Sequence, residues 1–119
     1  MSRFIVLFFL SNAIYTQDSL IVMSYNVLRF NRNSTNRAQY IKKVVDYIQP
    51  DIVVLQEIED GAGLDNILEK AFNSDSSVYA AGSLVSSTWM KSVVVYRKSK
   101  VDISNHVFIS TVLRDITGY

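Results

Sequence analysis

Pro50-Asp51-Ile52-Val53-Val54-Leu55-Gln56-Glu57-Ile58-Glu59 is the stretch on which the fold turns. Ile52 to Leu55 are consecutive apolar residues, mostly β-branched, and such a run suits a strand covered on both faces, as in a parallel sheet. Pro50 ends any helix before it and biases Gln49 toward an extended backbone. Gln56 and Glu57 then fall at the carboxyl end of the strand, the edge of an open α/β sheet where ligands bind. A carboxylate at that edge suits a hard divalent cation, because Mg²⁺ and Ca²⁺ take oxygen ligands.

Upstream, Leu20-Ile21-Val22-Met23-Ser24-Tyr25-Asn26 repeats the plan, apolar first and polar at its end. Between the two strands, Ala38, Ile41, Val44, Val45 and Ile48 recur at helical spacing, with Lys42, Lys43 and Asp46 on the opposite, solvated face. The spacing predicts a helix over 36–48, capped by Ser34, Thr35 or Asn36 and ended by Pro50. Strand, helix and strand at this separation form a βαβ unit, so strands 20–26 and 51–57 should be parallel neighbours. Both carboxyl ends then share one sheet edge, which brings Asn26 and Glu57 together. The pairing supplies a carboxylate for a cation and an amide to hold a phosphate oxygen or an attacking water. Arg29, Arg32 and Arg37 sit in the polar loop after Asn26, either as solvated residues or as phosphate contacts. The loop also holds Asn33-Ser34-Thr35, a glycosylation sequon of a kind that chance often produces.

Downstream, Glu59 and Asp60 read as solvated acids, with assistance to a metal as the alternative for either, and Asp60 is available to cap the next helix. Leu64, Ile67, Leu68, Ala71 and Phe72 form its apolar stripe. Strands are expected over 77–82, 91–97 and 101–111, and a further one is entered over 114–119. Trp89 reads as a packing residue.

Residues 1–17 stand apart. Arg3, the unbroken apolar run 4–10 and the small residues Ser11-Asn12-Ala13 have the layout of a secretory signal peptide, too short to span a bilayer. Residues 18–119 are then the mature domain, secreted or periplasmic and without a transmembrane segment. A length of 119 residues, 49% of them apolar, supports one globular domain at most. The net charge of +1 gives no sign of a general polyanion binder, so any nucleic-acid contact is local. The absence of cysteine excludes disulfides and thiolate zinc sites, and the single histidine, His106, excludes a His-rich metal site.

Ser24-Tyr25-Asn26-Val27-Leu28, a helical segment, and then Pro50-Asp51-Ile52-Val53-Val54-Leu55-Gln56-Glu57 together resemble the N-terminal part of the endonuclease/exonuclease/phosphatase superfamily. These are metal-dependent phosphoesterases related to pancreatic-type deoxyribonuclease. The resemblance implies an α/β fold, the N-terminal half of a two-sheet sandwich flanked by helices. It implies Mg²⁺-dependent phosphodiester hydrolysis by an activated water, with Mn²⁺ or Ca²⁺ as alternative ions. Asn26 matches the family's active-site asparagine and Glu57 its metal-ligating glutamate, and both are taken as catalytic and metal-site residues. Lys91-Ser92-Val93-Val94-Val95-Tyr96-Arg97 matches a family strand that ends in arginine beside the site. The substrate is a phosphodiester, with nucleic acid among the candidates, and the full-length protein is expected to be a monomer. The family's Gly-Asp-x-Asn and late Ser-Asp-His segments have no counterpart here, and Ser104-Asn105-His106 is read as a coincidence. The chain is therefore expected to be the N-terminal portion of a longer protein, inactive and weakly metal-binding by itself, with Val93 and Val95 exposed on an uncovered sheet face. The alternative is a non-catalytic α/β binding or interaction module that keeps the fold without the chemistry.

Overall fold

The computed structural model describes residues 18–84, 90–105, 107–109 and 116–118. The expected signal segment, Trp89 and His106 lie outside the described residues. The order is β1 (Val22–Phe30), a 3₁₀ turn (Thr35–Arg37), α1 (Ala38–Ile48), β2 (Ile52–Ile58), α2 (Gly61–Ile67) with a wider π-type turn (Leu68–Phe72), β3 (Tyr79–Ala81), β4 (Lys91–Arg97), β5 (Val107–Ile109) and β6 (Ile116–Gly118). The first four strands form a mixed sheet in the order β1-β2-β4-β3, and β5 pairs with β6 in a separate antiparallel ladder. This is an α/β architecture consistent with the N-terminal part of a sandwich.

β1 and β2 are parallel, with Val22 opposite Ile52 and Asn26 opposite Gln56. β2 and β4 are antiparallel, so β2 is only half in a parallel environment. Val53, Leu55, Val93 and Val95 are fully buried, in one core with Ala38, Ile41 and Val45 of α1 and with Leu64, Ile67, Ala71 and Phe72. Both helical segments therefore cover the same face. The expectation of exposed Val93 and Val95 fails because a continuous apolar run carries no phase, and this pair points under the helices. Ile52, Val54, Val94 and Tyr96 take the other face and are only half-buried.

The helix caps also differ from expectation. No side chain caps the 3₁₀ turn or α1, and Ser34 instead accepts from the Asn31 backbone N–H (3.3 Å). Gln49, expected to be extended, is left-handed (φ 51°) and closes α1 through its N–H to the Val45 carbonyl. Pro50 disfavours the right-handed helical region for its predecessor, and the left-handed cap avoids that region without being extended. Asp60 does cap α2, accepting from the Gly63 N–H at 2.6 Å. Where a strand was expected over 101–111, Val107–Ile109 form one and residues 101–105 are irregular.

The amino end of β2 is anchored by a buried acid. Asp51 accepts from the Ile21 N–H (2.9 Å) and pairs with Arg97 (3.2 Å) and Lys100 (3.1 Å). Arg97 also donates to the Tyr79 hydroxyl, which donates to the Pro50 carbonyl. The Ile21 N–H, and then the two cations, hold the Asp51 carboxyl below its usual range against the opposing effect of burial.

Candidate functional site

Asn26 and Glu57 meet at the carboxyl edge of β1 and β2, where the Asn26 amide Nδ2 donates to Glu57 Oε1 at 2.9 Å. Strand alternation alone would not place them so. Tyr25 and Leu55 face the helices, so Asn26 and Gln56 face away, and Glu57 would next turn into the core. Instead Glu57 adopts a left-handed backbone (φ 64°), and the register breaks between Leu55 and Ile58. Ile58 takes the core position with no exposed surface, and Glu57 stays half-exposed at the edge.

β1 has a larger irregularity at the same height. Asn26 pairs with Gln56 and Phe30 with Ile58, so residues 27–29 stand opposite Glu57 alone. Leu28 (φ 52°) and Arg29 (φ 53°) are left-handed, and the Leu28 N–H donates to Asn26 Oδ1 at 2.8 Å. Bulges of this kind re-aim side chains and are common beside active sites. With its oxygen tied to Leu28, the Asn26 amide presents its NH₂ to Glu57. Its second amide hydrogen faces no acceptor among the described residues.

The loop arginines and the two acids after β2 hold this edge together. Arg29 pairs with Glu59 Oε1 (2.8 Å), Asn31 Nδ2 donates to Glu59 Oε2 (2.7 Å), and the Glu59 N–H donates to the Phe30 carbonyl (2.9 Å). Arg32 pairs with Asp60 (3.3 Å). Arg37 donates to the Val27 and Leu28 carbonyls. All three arginines thus have partners within the fold, and Glu59 and Asp60 are paired rather than merely solvated. The Asn31 amide and then Arg29 hold the Glu59 carboxyl below its usual range. For Asp60, burial pushes upward but is outweighed by the Gly63 N–H and Arg32, so its carboxyl is also held low. Sequence reasoning missed this staple because its partners lie 28–30 residues apart. It also missed Asp51. Arg97, expected beside the site, lies at the opposite end because β4 runs antiparallel to β2. Lys91 is the β4 cation at the site edge, and it donates to the Glu59 carbonyl at 3.0 Å.

Glu57 is the exception among the acids of this edge. No cation pairs with it among the described residues, and Asn26 is its hydrogen-bond donor. That donor set fits a divalent ion as far as one free carboxylate oxygen can. No cluster of three acidic, histidine or cysteine side chains that could enclose a metal occurs among the described residues. A small open cleft of about 110 Å³, lined by residues 25–28 of β1 together with Arg37, Tyr40 and Ile41, lies on the helix side of Asn26 and does not include Glu57. No helix among the described residues is long and apolar enough to cross a membrane.

A search of curated proteins finds no match to this chain. The sequence model of the Endonuclease/Exonuclease/phosphatase family matches residues 23–118, from within β1 to the end of β6, and spans both bulged strands and the Asn26–Glu57 pair. The chain belongs to that family of phosphoester hydrolases, which is metal-dependent in general and acts on phosphodiester substrates.

Proposed function

We propose that the chain supplies the glutamate and asparagine of a Mg²⁺-dependent phosphodiesterase site, with Mn²⁺ or Ca²⁺ as alternative ions. The observation that carries this reading is Glu57, an acid without a cationic partner among the described residues, held by Asn26 at the shared carboxyl edge of two parallel strands. Glu57 would hold the metal, most openly through Oε2, since Oε1 also accepts from Asn26. A divalent ion held there would supply Lewis-acid chemistry for the phosphoryl group and for activating water. The Asn26 oxygen is occupied by Leu28, so Asn26 acts through its second amide hydrogen, which donates to a non-bridging phosphate oxygen or to the attacking water. That hydrogen bond strengthens as charge develops on the phosphate. Mg²⁺ is commonly held by one or two carboxylates plus substrate phosphate, so a lone Glu57 suffices only with substrate in place.

The same reading includes export to the periplasm or the exterior after removal of residues 1–17, and a phosphodiester substrate with nucleic acid among the candidates. The test has two parts. Mg²⁺ or Mn²⁺ titrated into the ¹⁵N-labelled chain together with bis-(p-nitrophenyl) phosphate should perturb the resonances of Asn26 and Glu57, and Glu57→Gln should abolish this while leaving the spectrum folded. In the natural gene product, Glu57→Gln should lower Mg²⁺-dependent hydrolysis of bis-(p-nitrophenyl) phosphate and plasmid DNA by at least about a hundredfold. A non-catalytic module of the same fold would show neither the metal response nor the hydrolysis.

A further inference from the structure

We infer that Arg37 is a positioning residue for the Asn26–Glu57 pair, acting through the backbone of the β1 bulge and not by touching phosphate. Its guanidinium donates from Nη2 to the Val27 carbonyl and from Nη1 to the Leu28 carbonyl (3.0 Å), and it lies 5.5 Å from the centre of the Phe30 ring. Those carbonyls belong to the residues that leave the β1–β2 ladder between Asn26 and Phe30. They need donors from elsewhere, because unpaired backbone acceptors are costly. The bulge is also strained, since Leu28 and Arg29 are both left-handed without being glycine. Leu28 belongs there only because its neighbours hold it.

The consequence reaches the site in two hydrogen bonds. Arg37 fixes the Val27 and Leu28 peptides, the Leu28 N–H fixes the Asn26 oxygen, and the Asn26 amide fixes Glu57 Oε1. Without the guanidinium the bulge relaxes toward ordinary strand geometry, the Leu28 N–H swings away, and the Asn26 amide is free to rotate. The other arginines of the loop do not duplicate this link, because Arg29 and Arg32 reach Glu59 and Asp60. Lysine is a poor substitute, since one ammonium does not reproduce a planar fork across two carbonyls.

The inference rests on the proposed roles of Asn26 and Glu57, and its test separates the two. The variants are Arg37→Gln and the double variant Arg37→Gln/Leu28→Gly, in which glycine takes the left-handed turn without strain. In the ¹⁵N-labelled chain, the Asn26 side-chain NH₂ resonances should lie outside the range of exposed asparagine, collapse into it in Arg37→Gln, and return in the double variant. In the natural gene product, kcat on bis-(p-nitrophenyl) phosphate should fall about ten- to a hundredfold with KM nearly constant, as for a misplaced catalytic group. The double variant should recover most of that loss. Unmoved Asn26 resonances in Arg37→Gln would overturn the inference, and so would a raised KM with kcat retained, which marks a substrate contact. If Arg37→Gln does not fold, Arg37→Lys should move the same resonances part of the way, and no movement counts against the inference. A wild-type protein without Mg²⁺-dependent hydrolysis removes the proposed function, while the Asn26 resonances still decide the role of Arg37.

Discussion

Gly63→Ala is the substitution for which two physical effects predict opposite signs. Gly63 lies in the first turn of α2, and intrinsic propensity favours alanine there by up to about 1 kcal/mol. The close approach of α2 to the end of β1 opposes this. A Cβ at Gly63 would sit 2.8 Å from the Asn31 Cα, 3.0 Å from the Asn31 carbonyl carbon and 3.0 Å from the Phe30 oxygen. All three are backbone atoms that no rotamer change can move. Carbon pairs are comfortable at about 3.5–4.0 Å, so the start of α2 must retreat by about 1 Å. That retreat pulls on Asp60–Gly63 and on the bonds that Glu59 makes to Asn31 and Phe30. Overpacking of this kind costs about 1–3 kcal/mol, so the net change should be a loss of about 1–2 kcal/mol. Urea unfolding would show it as a midpoint lowered by about 0.5–1 M at an unchanged slope. Gly61→Ala is the internal control, because a Cβ there meets nothing within 4 Å, and it should be neutral or slightly stabilising. A Gly63→Ala chain as stable as Gly61→Ala would refute the close-approach argument and leave propensity as the only term.

Acid should unfold the chain through its paired carboxylates. Asp51, Glu59 and Asp60 are all held low in the folded state, so the unfolded chain binds more protons as pH falls below about 4.5. Their contribution is complete at neutral pH and is lost as pH drops through the folded values. Thermal midpoints measured from pH 7 to 3 should show a fall that is shallower in Asp51→Asn, and parallel curves for the two proteins would exclude the Asp51 network as a source. For export, mass spectrometry of secreted or periplasmic material should find a new N-terminus between Ile14 and Asp18, and recovery of intact Met1 there would exclude cleavage.

The sheet edge was legible in the sequence because it depends on order and period. The helical spacing from Ala38 to Ile48 and the apolar run from Ile52 force two parallel strands with a helix between them. That topology alone brings Asn26 and Glu57 to one edge. β4 was legible to its end residues for the same reason, a β-branched run bounded by polar residues. Phase was not legible. Lys91 to Arg97 is apolar at every central position, so nothing in it says that Val93 and Val95 rather than Val94 face the helices. The direction of β4 was equally hidden, and with it the end of the sheet to which Arg97 belongs.

The bulges were invisible for a deeper reason. Left-handed backbone usually announces itself through glycine or asparagine, yet here Leu28, Arg29 and Glu57 adopt it. What surrounds them is contributed from elsewhere in the chain: Arg37 donates to the Val27 and Leu28 carbonyls of β1, and Asn31 and Arg29 bond Glu59 beside Glu57. The same partners separate Glu57 from Glu59, acids two residues apart that the sequence alone does not distinguish. Glu59 is turned toward Asn31 and Arg29 and is consumed in joining β1 to the β2–α2 loop. Glu57 is rotated out of the strand's alternation by its own left-handed turn, and it meets an amide where Glu59 meets a cation. A carboxylate neutralised within the fold has little left for an external ion. One held in place by a neutral donor is not neutralised in this way, and this contrast between Glu59 and Glu57 is the reason the proposed metal site is built on Glu57.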